Sequence, residues 1–165
     1  MLVEHPPSSD GECMTCHQPH ESKGASLLTM PQKDLCLSCH EEVESQMANP
    51  GQHRPFVVGD CSGCHQPHGS RLPVLLADSG PDLCARCHQR HALERNEPNR
   101  HQPFKAGQCD TCHQPHSSTE PALLPEGGYE SCLTCHTEMR QVRTAKYSHE
   151  PVARLNCNAC HSAHG

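Results

Sequence analysis

The sequence predicts a mostly irregular chain with short α-helices and little or no β-sheet, organised as repeats within one domain. Three observations predict this class. Leu, Val and Phe together make up only about 14% of the 165 residues and Ile is absent, below the roughly 20% under which chains tend to stay disordered. Cysteine, histidine and proline are abundant instead, with 14, 16 and 15 copies. A cysteine motif also recurs at regular spacing, so something other than aliphatic side chains must form the core.

The repeat is defined by seven Cys-x-x-Cys-His motifs, in which a shorter step between motifs alternates with a slightly longer one. The pattern therefore returns to its starting phase after every second motif, which gives a 48-residue unit containing two motifs. Three full units cover 5–52, 53–100 and 101–148, and a half-unit covers 149–165. We treat residues 1–165 as one domain built from these units.

Proline and helix-forming residues divide each unit into two parts. Gln-Pro follows the first motif in all three full units, and proline disfavours a long helix there because it lacks the amide donor and restrains its predecessor. Polar, proline-free stretches rich in helix formers lie at or after the second motif. We predict short helices at 41–48, 91–97 and 137–146, with turns and irregular backbone elsewhere.

The seven motifs account for every cysteine in the chain. This spacing is typical of c-type haem attachment, in which two thiols form thioethers and the adjacent imidazole becomes the proximal iron ligand. We predict seven covalently attached haem c groups. The thioether cysteines would be Cys13, Cys16, Cys36, Cys39, Cys61, Cys64, Cys84, Cys87, Cys109, Cys112, Cys132, Cys135, Cys157 and Cys160. The proximal iron ligands would be His17, His40, His65, His88, His113, His136 and His161.

Zinc knuckles and a disulfide scaffold are the two other interpretations of so many cysteines. Zinc ribbons pair their Cys-x-x-Cys knuckles, and seven motifs cannot all be paired. A secreted disulfide scaffold would use an even number of cysteines. Neither alternative explains a histidine directly after the second cysteine in all seven copies, so haem is favoured.

Nine further histidines are candidates for the second axial position of the iron. Eight of them keep the phase of the repeat, whereas seven irons need only seven such ligands, and His91 lies outside the phase. Methionine is the other usual sixth ligand, and only Met139 has a suggestive position. The phased candidates are His5, His20, His53, His68, His101, His116, His149 and His164.

Short tethers between histidines predict that neighbouring haems lie close together. His20 is only three residues beyond His17, and three residues span at most about 11 Å, so His20 cannot reach the opposite face of the haem that His17 binds. It must serve another haem. The same reasoning applies to His68, His116 and His164, although the sequence leaves open whether each binds the preceding or the following haem. We expect the porphyrins to form the core, with the Leu-Leu pairs, Phe56 and Phe104 packed on them.

The order of these features resembles that of multihaem cytochromes c with doubled Cys-x-x-Cys-His motifs. The clearest copy is His53-Arg54-Pro55-Phe56 followed by the segment Cys61 to His68. The half-unit departs from the pattern, with Val152 for Phe, Leu155 for Gly and Ser162-Ala163 for Gln-Pro. The resemblance implies a haem-cored, elongated chain in which bis-histidine, low-spin haems pass electrons, as in periplasmic shuttles, outer-surface conduits and extracellular filaments.

From this resemblance we expect an electron-transfer protein of the periplasm or the extracellular space rather than an enzyme. The alternative is a multihaem reductase, which needs one iron with an open sixth position. The formal charge of −6 without a Lys/Arg cluster argues against nucleic acid and favours redox partners with basic docking surfaces. No apolar run is long enough to span a bilayer, and no signal peptide follows Met1. A spare phased histidine in the half-unit also suggests head-to-tail assembly of copies of the chain, as in a nanowire filament.

Overall fold

Short helices are the main regular elements of the fold. The computed structural model describes residues 2–165, and the α-helices in this range have four to six residues each. Most of the remaining chain is turns and irregular backbone, which confirms the predicted fold class. The helices are α1 (Pro6–Ser9), α2 (Cys13–Cys16), α3 (Gln32–Leu37), α4 (Glu41–Ser45), α5 (Arg54–Val58), α6 (Gly80–Ala85), α7 (Gln89–Glu94), α8 (Gln102–Lys105), α9 (Met139–Arg143) and α10 (Glu150–Ala153).

Short 3-10 segments join these helices, most of them at repeating positions. The first motif of a unit begins as such a turn in the later units, and a second turn recurs at the Leu-Leu pair. The 3-10 segments are Ala25–Leu27, Gln46–Ala48, Cys61–Gly63, Pro73–Leu75, Cys109–Thr111, Pro121–Leu123, Gly128–Thr134 and Cys157–Ala159.

The predicted helices form, but they are shorter than expected, and other short helices accompany them. Residues 41–48 become α4 and the 3-10 turn Gln46–Ala48, 91–97 overlap α7, and 137–146 contain α9. The other short helices were not predicted. A helix of four to six residues is too short to show the periodicity by which helices are recognised in a sequence.

Two small antiparallel sheets hold successive repeats together. Strand β1 (Val3–Glu4) pairs with β3 (Gly69–Ser70), and β2 (Gly51–Gln52) pairs with β4 (Ser117–Ser118). The second sheet is the first one shifted by exactly one repeat unit, so both use the same register. In each case the residues just before the start of one repeat pair with those that follow the first motif of the next.

Apolar side chains form almost no core by themselves. Among residues 2–165, the buried hydrophobic side chains are Phe56 and Leu133, with 9% and 4% of their surface exposed. The remaining Leu, Val and Met side chains are partly or largely exposed in the polypeptide alone. The polypeptide therefore has no aliphatic core, as the low content of Leu, Val and Phe predicts.

A glycine follows the first short helix of each full repeat, and in the second and third repeats it allows a close approach to the preceding repeat. Gly59 and Gly107 have φ of 79° and 75°, and a Cβ at Gly59 would lie 2.5 Å from Lys33 Cβ of the preceding repeat. A Cβ at Gly107 would lie 2.6 Å from Pro81 Cβ. In the half-unit Leu155 takes the same left-handed conformation, with φ of 56°.

No helix in residues 2–165 is long and apolar enough to cross a membrane.

Candidate haem sites

Each of the seven motifs folds as one tight turn. The histidine N–H donates to the carbonyl of the first cysteine, at 2.9–3.1 Å in all seven copies. None of the 14 cysteines forms a disulfide. Because the turn brings both thiols and the imidazole to one small region, every motif presents the groups that one haem c would need, two thiols and one iron ligand.

Six of the seven motif histidines face a second imidazole. We number the motifs along the chain, so the odd ones begin at Cys13, Cys61, Cys109 and Cys157 and the even ones at Cys36, Cys84 and Cys132. The even pairs are His5 with His40, His53 with His88, and His101 with His136, with ring centres 6.0–6.1 Å apart and planes inclined by 16–20°. The odd pairs are His17 with His68, His65 with His116, and His113 with His164, at 5.8–6.1 Å and 39–61°.

These separations fit an iron atom between the rings. Imidazole nitrogens bind first-row metal ions at about 2.0–2.1 Å, so two nitrogens on opposite sides of one metal are about 4 Å apart. Each ring centre lies about 1 Å behind its nitrogen, which places ring centres about 6 Å apart. Parallel rings in van der Waals contact would be much closer, at roughly 3.5–4 Å. The donor set of two imidazoles and two adjacent thiols therefore fits haem c at six motifs.

The pairs show which motif each phased histidine faces. An even motif pairs with the leading histidine of its own repeat, as His53 does with His88. An odd motif pairs with the histidine that follows the odd motif of the next repeat, as His65 does with His116. His68, His116 and His164 thus each face the preceding odd motif, which is the direction that the sequence left open. Ligation at each of these residues stays a prediction.

Three histidines of the predicted set lack such a partner within residues 2–165. His161 of the seventh motif faces no second imidazole, and neither His20 nor His149 faces a motif histidine. His20 has the repeat position of His68, and His149 has that of His53. Because each paired odd motif faces a histidine of the following repeat, the same rule would require the partner of His161 to occupy a later repeat.

His91, the histidine outside the phase, lies beside two of the pairs. Its ring centre is 5.0 Å from that of His164 and 6.1 Å from that of His88, and its Nδ1 lies 3.2 Å from Glu94 Oε2. The separation from His88 resembles that of an iron-spanning pair. We nevertheless assign His53 to His88, because the equivalent pair recurs in the other two repeats and His91 is only three residues from His88 on the same short segment.

The proximal imidazoles of the three paired odd motifs have a protein acceptor for Nδ1. His65 Nδ1 lies 2.8 Å from the carbonyl oxygen of Val74. The equivalent atoms of His17 and His113 lie 3.0 and 2.8 Å from the carbonyl oxygens of Ser26 and Ala122. A hydrogen bond from Nδ1–H leaves Nε2 unprotonated, which is the nitrogen an iron would need.

The even motifs lack this contact. Among residues 2–165, Nδ1 of His40, His88 and His136 makes no hydrogen bond, and all three side chains belong to exposed residues. The nearest charged partner belongs to His136, whose Nδ1 is 3.9 Å from Glu138 Oε1. The two kinds of motif therefore differ both in the tilt of the ring pair and in the support behind the proximal ring.

A serine outside the cysteine motifs, which the motif pattern did not reveal, holds the turn behind each paired odd motif. Ser70 Oγ donates to the carbonyl of Leu76 at 2.5 Å and accepts the N–H of Leu72. Ser22 and Ser118 make the equivalent bonds in the other repeats. Their shared phase in the repeat was the signal that could have identified them.

The two phenylalanines stack on imidazoles that are candidates for the second axial position of the iron. Phe56 lies on His116 with ring centres 4.9 Å apart, and Phe104 lies on His164 at 4.5 Å, each with planes inclined by 17°. Burial lowers the pKa of His116, and the charges of nearby His65 and His53 lower it further. Burial likewise lowers the pKa of His164. A lowered pKa favours the neutral ring, which is the form that binds a metal.

Successive motifs lie close together along the whole chain. Burial raises the pKa of Cys36 to about 11, and the thiols of Cys61 in the third motif and Cys16 in the first contribute to the shift. Cys84 shows the same effect, with a pKa of about 11 from burial and from Cys109 and Cys64. Burial also raises the pKa of Cys112 and of Cys132, with contributions from Cys135 and from Cys157 respectively. No long gap separates one motif from the next.

A fold of short helices without an aliphatic core, carrying paired Cys-x-x-Cys-His turns, defines a multihaem c-type cytochrome. The family model of the doubled CXXCH motif matches residues 5–45, 53–93 and 101–141, most of the chain. The protein therefore belongs to the doubled CXXCH family. No curated protein matches the sequence. The three matched segments begin at His5, His53 and His101, where the repeats begin.

Proposed function

We propose that this protein conducts electrons along seven covalently bound haems, of which at least six have two histidine ligands. The observation that carries the proposal is the set of six imidazole pairs with ring centres 5.8–6.1 Å apart. Bound haem supplies a one-electron ferric–ferrous couple. The paired imidazoles would hold the iron from both sides, which would leave no position there for substrate.

The chain contributes spacing and orientation to this function. Three-residue tethers such as His65 to His68 join the proximal ligand of one odd site to the distal ligand of the previous one. Thiols of neighbouring motifs approach closely enough to shift one another's pKa. Short tethers fix the distance between redox centres, and a fixed, short distance supports fast electron transfer.

The unpaired seventh motif favours a second candidate function, that of a multihaem reductase. His161 faces no other imidazole within residues 2–165, so a haem there would present an open iron position to a small ligand. Acid or base groups next to such an iron would be needed for catalysis. This second function is limited to the seventh motif, because the other six motif histidines each face a second imidazole.

A haem count combined with spin-state spectroscopy tests the proposal. Absorbance of the denatured protein should give seven haems per chain, and low-temperature electron paramagnetic resonance of the ferric protein should show at least six low-spin centres. Cyanide or nitric oxide should bind no more than the seventh haem if conduction is the function. Fewer than six low-spin haems would contradict the proposal, and turnover of a small substrate at the seventh haem would favour the reductase.

The charge distribution supports a basic redox partner at the first repeat. Residues 5–52 contain seven acidic and two basic side chains, whereas 53–100 contain five and six. Three of these seven acidic residues, Glu41, Glu42 and Glu44, lie on helix α4 directly after the second motif. We place docking here, in the periplasm or the extracellular space where haem c is attached, and expect long-range attraction to steer the encounter.

A filament form is part of the proposal because His161 and His20, within residues 2–165, each lack the kind of partner that joins one repeat to the next. His161 requires a histidine with the repeat position that His20 holds. Residues 147–148 have the repeat position of β1, and Tyr147 is 88% exposed. A second copy of the chain would supply both partners. Concentration-dependent assembly that is lost in His20→Ala would support it, whereas an unchanged monomer with a six-coordinate seventh haem would contradict it.

A further inference from the structure

Strained backbone recurs behind the odd motifs. In each full repeat, two consecutive non-glycine residues adopt left-handed φ values between 47° and 58°. We call each of these a left-handed pair, and they are Ser26–Leu27, Val74–Leu75 and Ala122–Leu123. Left-handed conformation brings Cβ of an L-residue too close to the following carbonyl oxygen, and a β-branched residue such as Val74 is a clear outlier there.

In all three repeats the left-handed pair positions its two carbonyl oxygens against the odd motif. The first residue of each left-handed pair directs its carbonyl oxygen to Nδ1 of the proximal histidine, at 2.8–3.0 Å. The second residue's carbonyl accepts the N–H of the glutamine that follows that histidine, at 2.7 Å in all three repeats. Together these bonds fasten the strained turn across the motif and fix how the imidazole can rotate.

The even sites provide the contrast within the same molecule. Their proximal histidines have no left-handed pair behind them and no hydrogen bond to Nδ1 within residues 2–165. Their ring pairs are close to parallel, at 16–20°, whereas those of the odd sites are tilted by 39°, 52° and 61°. Among the six paired sites, the three with the strained turn have the large tilt and the three without it have the small one.

We propose that the left-handed pairs are positioning elements that divide the paired haem sites into two classes, alternating along the chain. This inference rests on the proposed function, since it concerns the same sites once haem is bound. The turn holds the proximal imidazole of an odd site in a tilted orientation and supplies the acceptor for its Nδ1–H. At even sites the proximal imidazole is free of this restraint, and its Nδ1–H is left to solvent.

Two measurable properties follow from the arrangement. The angle between two axial imidazole planes sets the splitting of the iron d orbitals, so tilted and parallel pairs give low-spin ferric signals with different g anisotropy. The larger maximum g value belongs to the tilted class. A hydrogen bond from Nδ1–H also makes the imidazole a stronger electron donor, which stabilises the ferric state and lowers the reduction potential.

The first test is the ferric spectrum of the unmodified seven-haem protein. Quantified electron paramagnetic resonance should resolve two low-spin classes of three haems each, apart from the seventh haem. A single class containing all six would overturn the inference while leaving the proposed function intact. High-spin signals from several haems would instead contradict the proposed function, so the two failures are distinguishable.

The second test removes one left-handed pair. The proline ring locks φ at a negative value, so Val74→Pro is incompatible with the φ of 47° at this position. One of the three signals of the tilted class should move, and the potential of that haem should rise. The matched control is Val74→Gly, because glycine adopts positive φ readily and keeps the carbonyl in place. Both properties should match those of the unmodified protein.

Equivalent substitutions protect the test against a variant that fails to fold. Ser26→Pro and Ala122→Pro act on the first and third repeats and should each move one tilted-class signal. If a folded proline variant retains all seven haems with unchanged signals and potentials, the turn has no positioning role and the inference is wrong. If the glycine control changes as much as the proline variant, side-chain packing rather than the carbonyl is responsible, and the inference is also wrong.

Discussion

The two halves of each repeat use the same Cys-x-x-Cys-His motif in opposite ways. An even motif faces a histidine from its own repeat, as in the pair of His53 with His88, whereas an odd motif faces one from the next repeat, as in the pair of His65 with His116. Iron bound at an even site would close a loop within one unit. Iron bound at an odd site would join two units. The difference teaches that one kind of site builds the repeat and the other connects the repeats.

Removal of one distal ligand of each kind should give the largest difference in stability. His116→Ala removes the odd-site partner of His65, the ring on which Phe56 stacks, and the iron-mediated link between two repeats. We expect a loss of about 4 kcal/mol in the free energy of unfolding, among the larger effects of single substitutions. His53→Ala is the matched even-site variant and should cost about 2 kcal/mol. Denaturant unfolding followed by haem absorbance measures both.

The two variants are well matched because the main chains of residues 53 and 116 are hydrogen-bonded to each other, and this bond remains in both variants. The N–H of His53 donates to the carbonyl of His116 at 2.9 Å, and neither substitution removes that bond. Each variant should also show one new high-spin haem, which added imidazole should return to the low-spin state. Equal losses of stability would contradict the division of roles between odd and even sites.

The glycine at the junction between repeats should give the next largest effect. Gly107→Ala places a methyl group 2.6 Å from Pro81 Cβ in the preceding repeat, at a φ of 75°. The left-handed conformation and the overpacking together should cost roughly 3 kcal/mol. Gly11→Ala is the control, because its φ is 73° but its added Cβ would meet nothing within 4 Å, so only the conformational cost of about 1–2 kcal/mol applies.

Thermal unfolding of the two glycine variants measures the difference. A Gly11→Ala variant as unstable as Gly107→Ala would show that the glycines serve backbone conformation alone. A clear difference would show that close approach between repeats depends on the missing side chain. This experiment examines the junction independently of its axial ligands.

The repeat of the sequence predicted the candidate haem sites, but it could not predict which histidine faces which motif. The phase of the repeat makes His20, His68 and His116 equivalent, yet equivalence does not tell which neighbour each one faces. The left-handed pairs behind the odd motifs were not predicted either, because residues such as Val74–Leu75 contain no glycine or asparagine to signal positive φ.

The short helices and the stacking of phenylalanine were similarly hidden. Helices such as α5 last about one turn, so packing against the neighbouring repeat, and not helix propensity, determines them. From the sequence we expected Phe56 to pack on haem, and the structure places it on the His116 ring. Ser70, by contrast, was predictable in principle, because serine recurs at the same phase in all three full repeats.

A stacked phenylalanine distinguishes two of the paired odd sites from the third, and replacing it should have a smaller effect on stability. The sites with a stacked Phe have ring pairs tilted by 52° and 61°, whereas the pair of His17 with His68 is tilted by 39°. In the first repeat Ser8 occupies the position of Phe56. We expect Phe56→Leu to reduce the tilt at His116, to narrow the g anisotropy of one odd-site haem, and to cost about 1 kcal/mol.

The matched variant is Phe104→Leu, which acts on His164 in the following junction. Each substitution should shift one signal only, and the two shifts should add in the double variant because the sites are separate. A change in the even-site signals would show that the phenylalanines support the repeat as a whole and do not orient individual rings.

The smallest effect should come from the acidic first repeat. Replacing Glu41, Glu42 and Glu44 with Gln removes three charges from α4, next to the even site of His40. With a basic redox partner, the association rate should fall several-fold at low ionic strength and the difference should disappear at high salt, because exposed charges act over about a Debye length.

Replacing Glu120, Glu126 and Glu130 with Gln in the third repeat provides the control. Stopped-flow reduction by the partner measures the rate, and equal losses in both triple variants would show that net charge, rather than an entry point at the first repeat, steers docking. The stability of neither triple variant should change much, since these carboxylates are exposed or only partly buried.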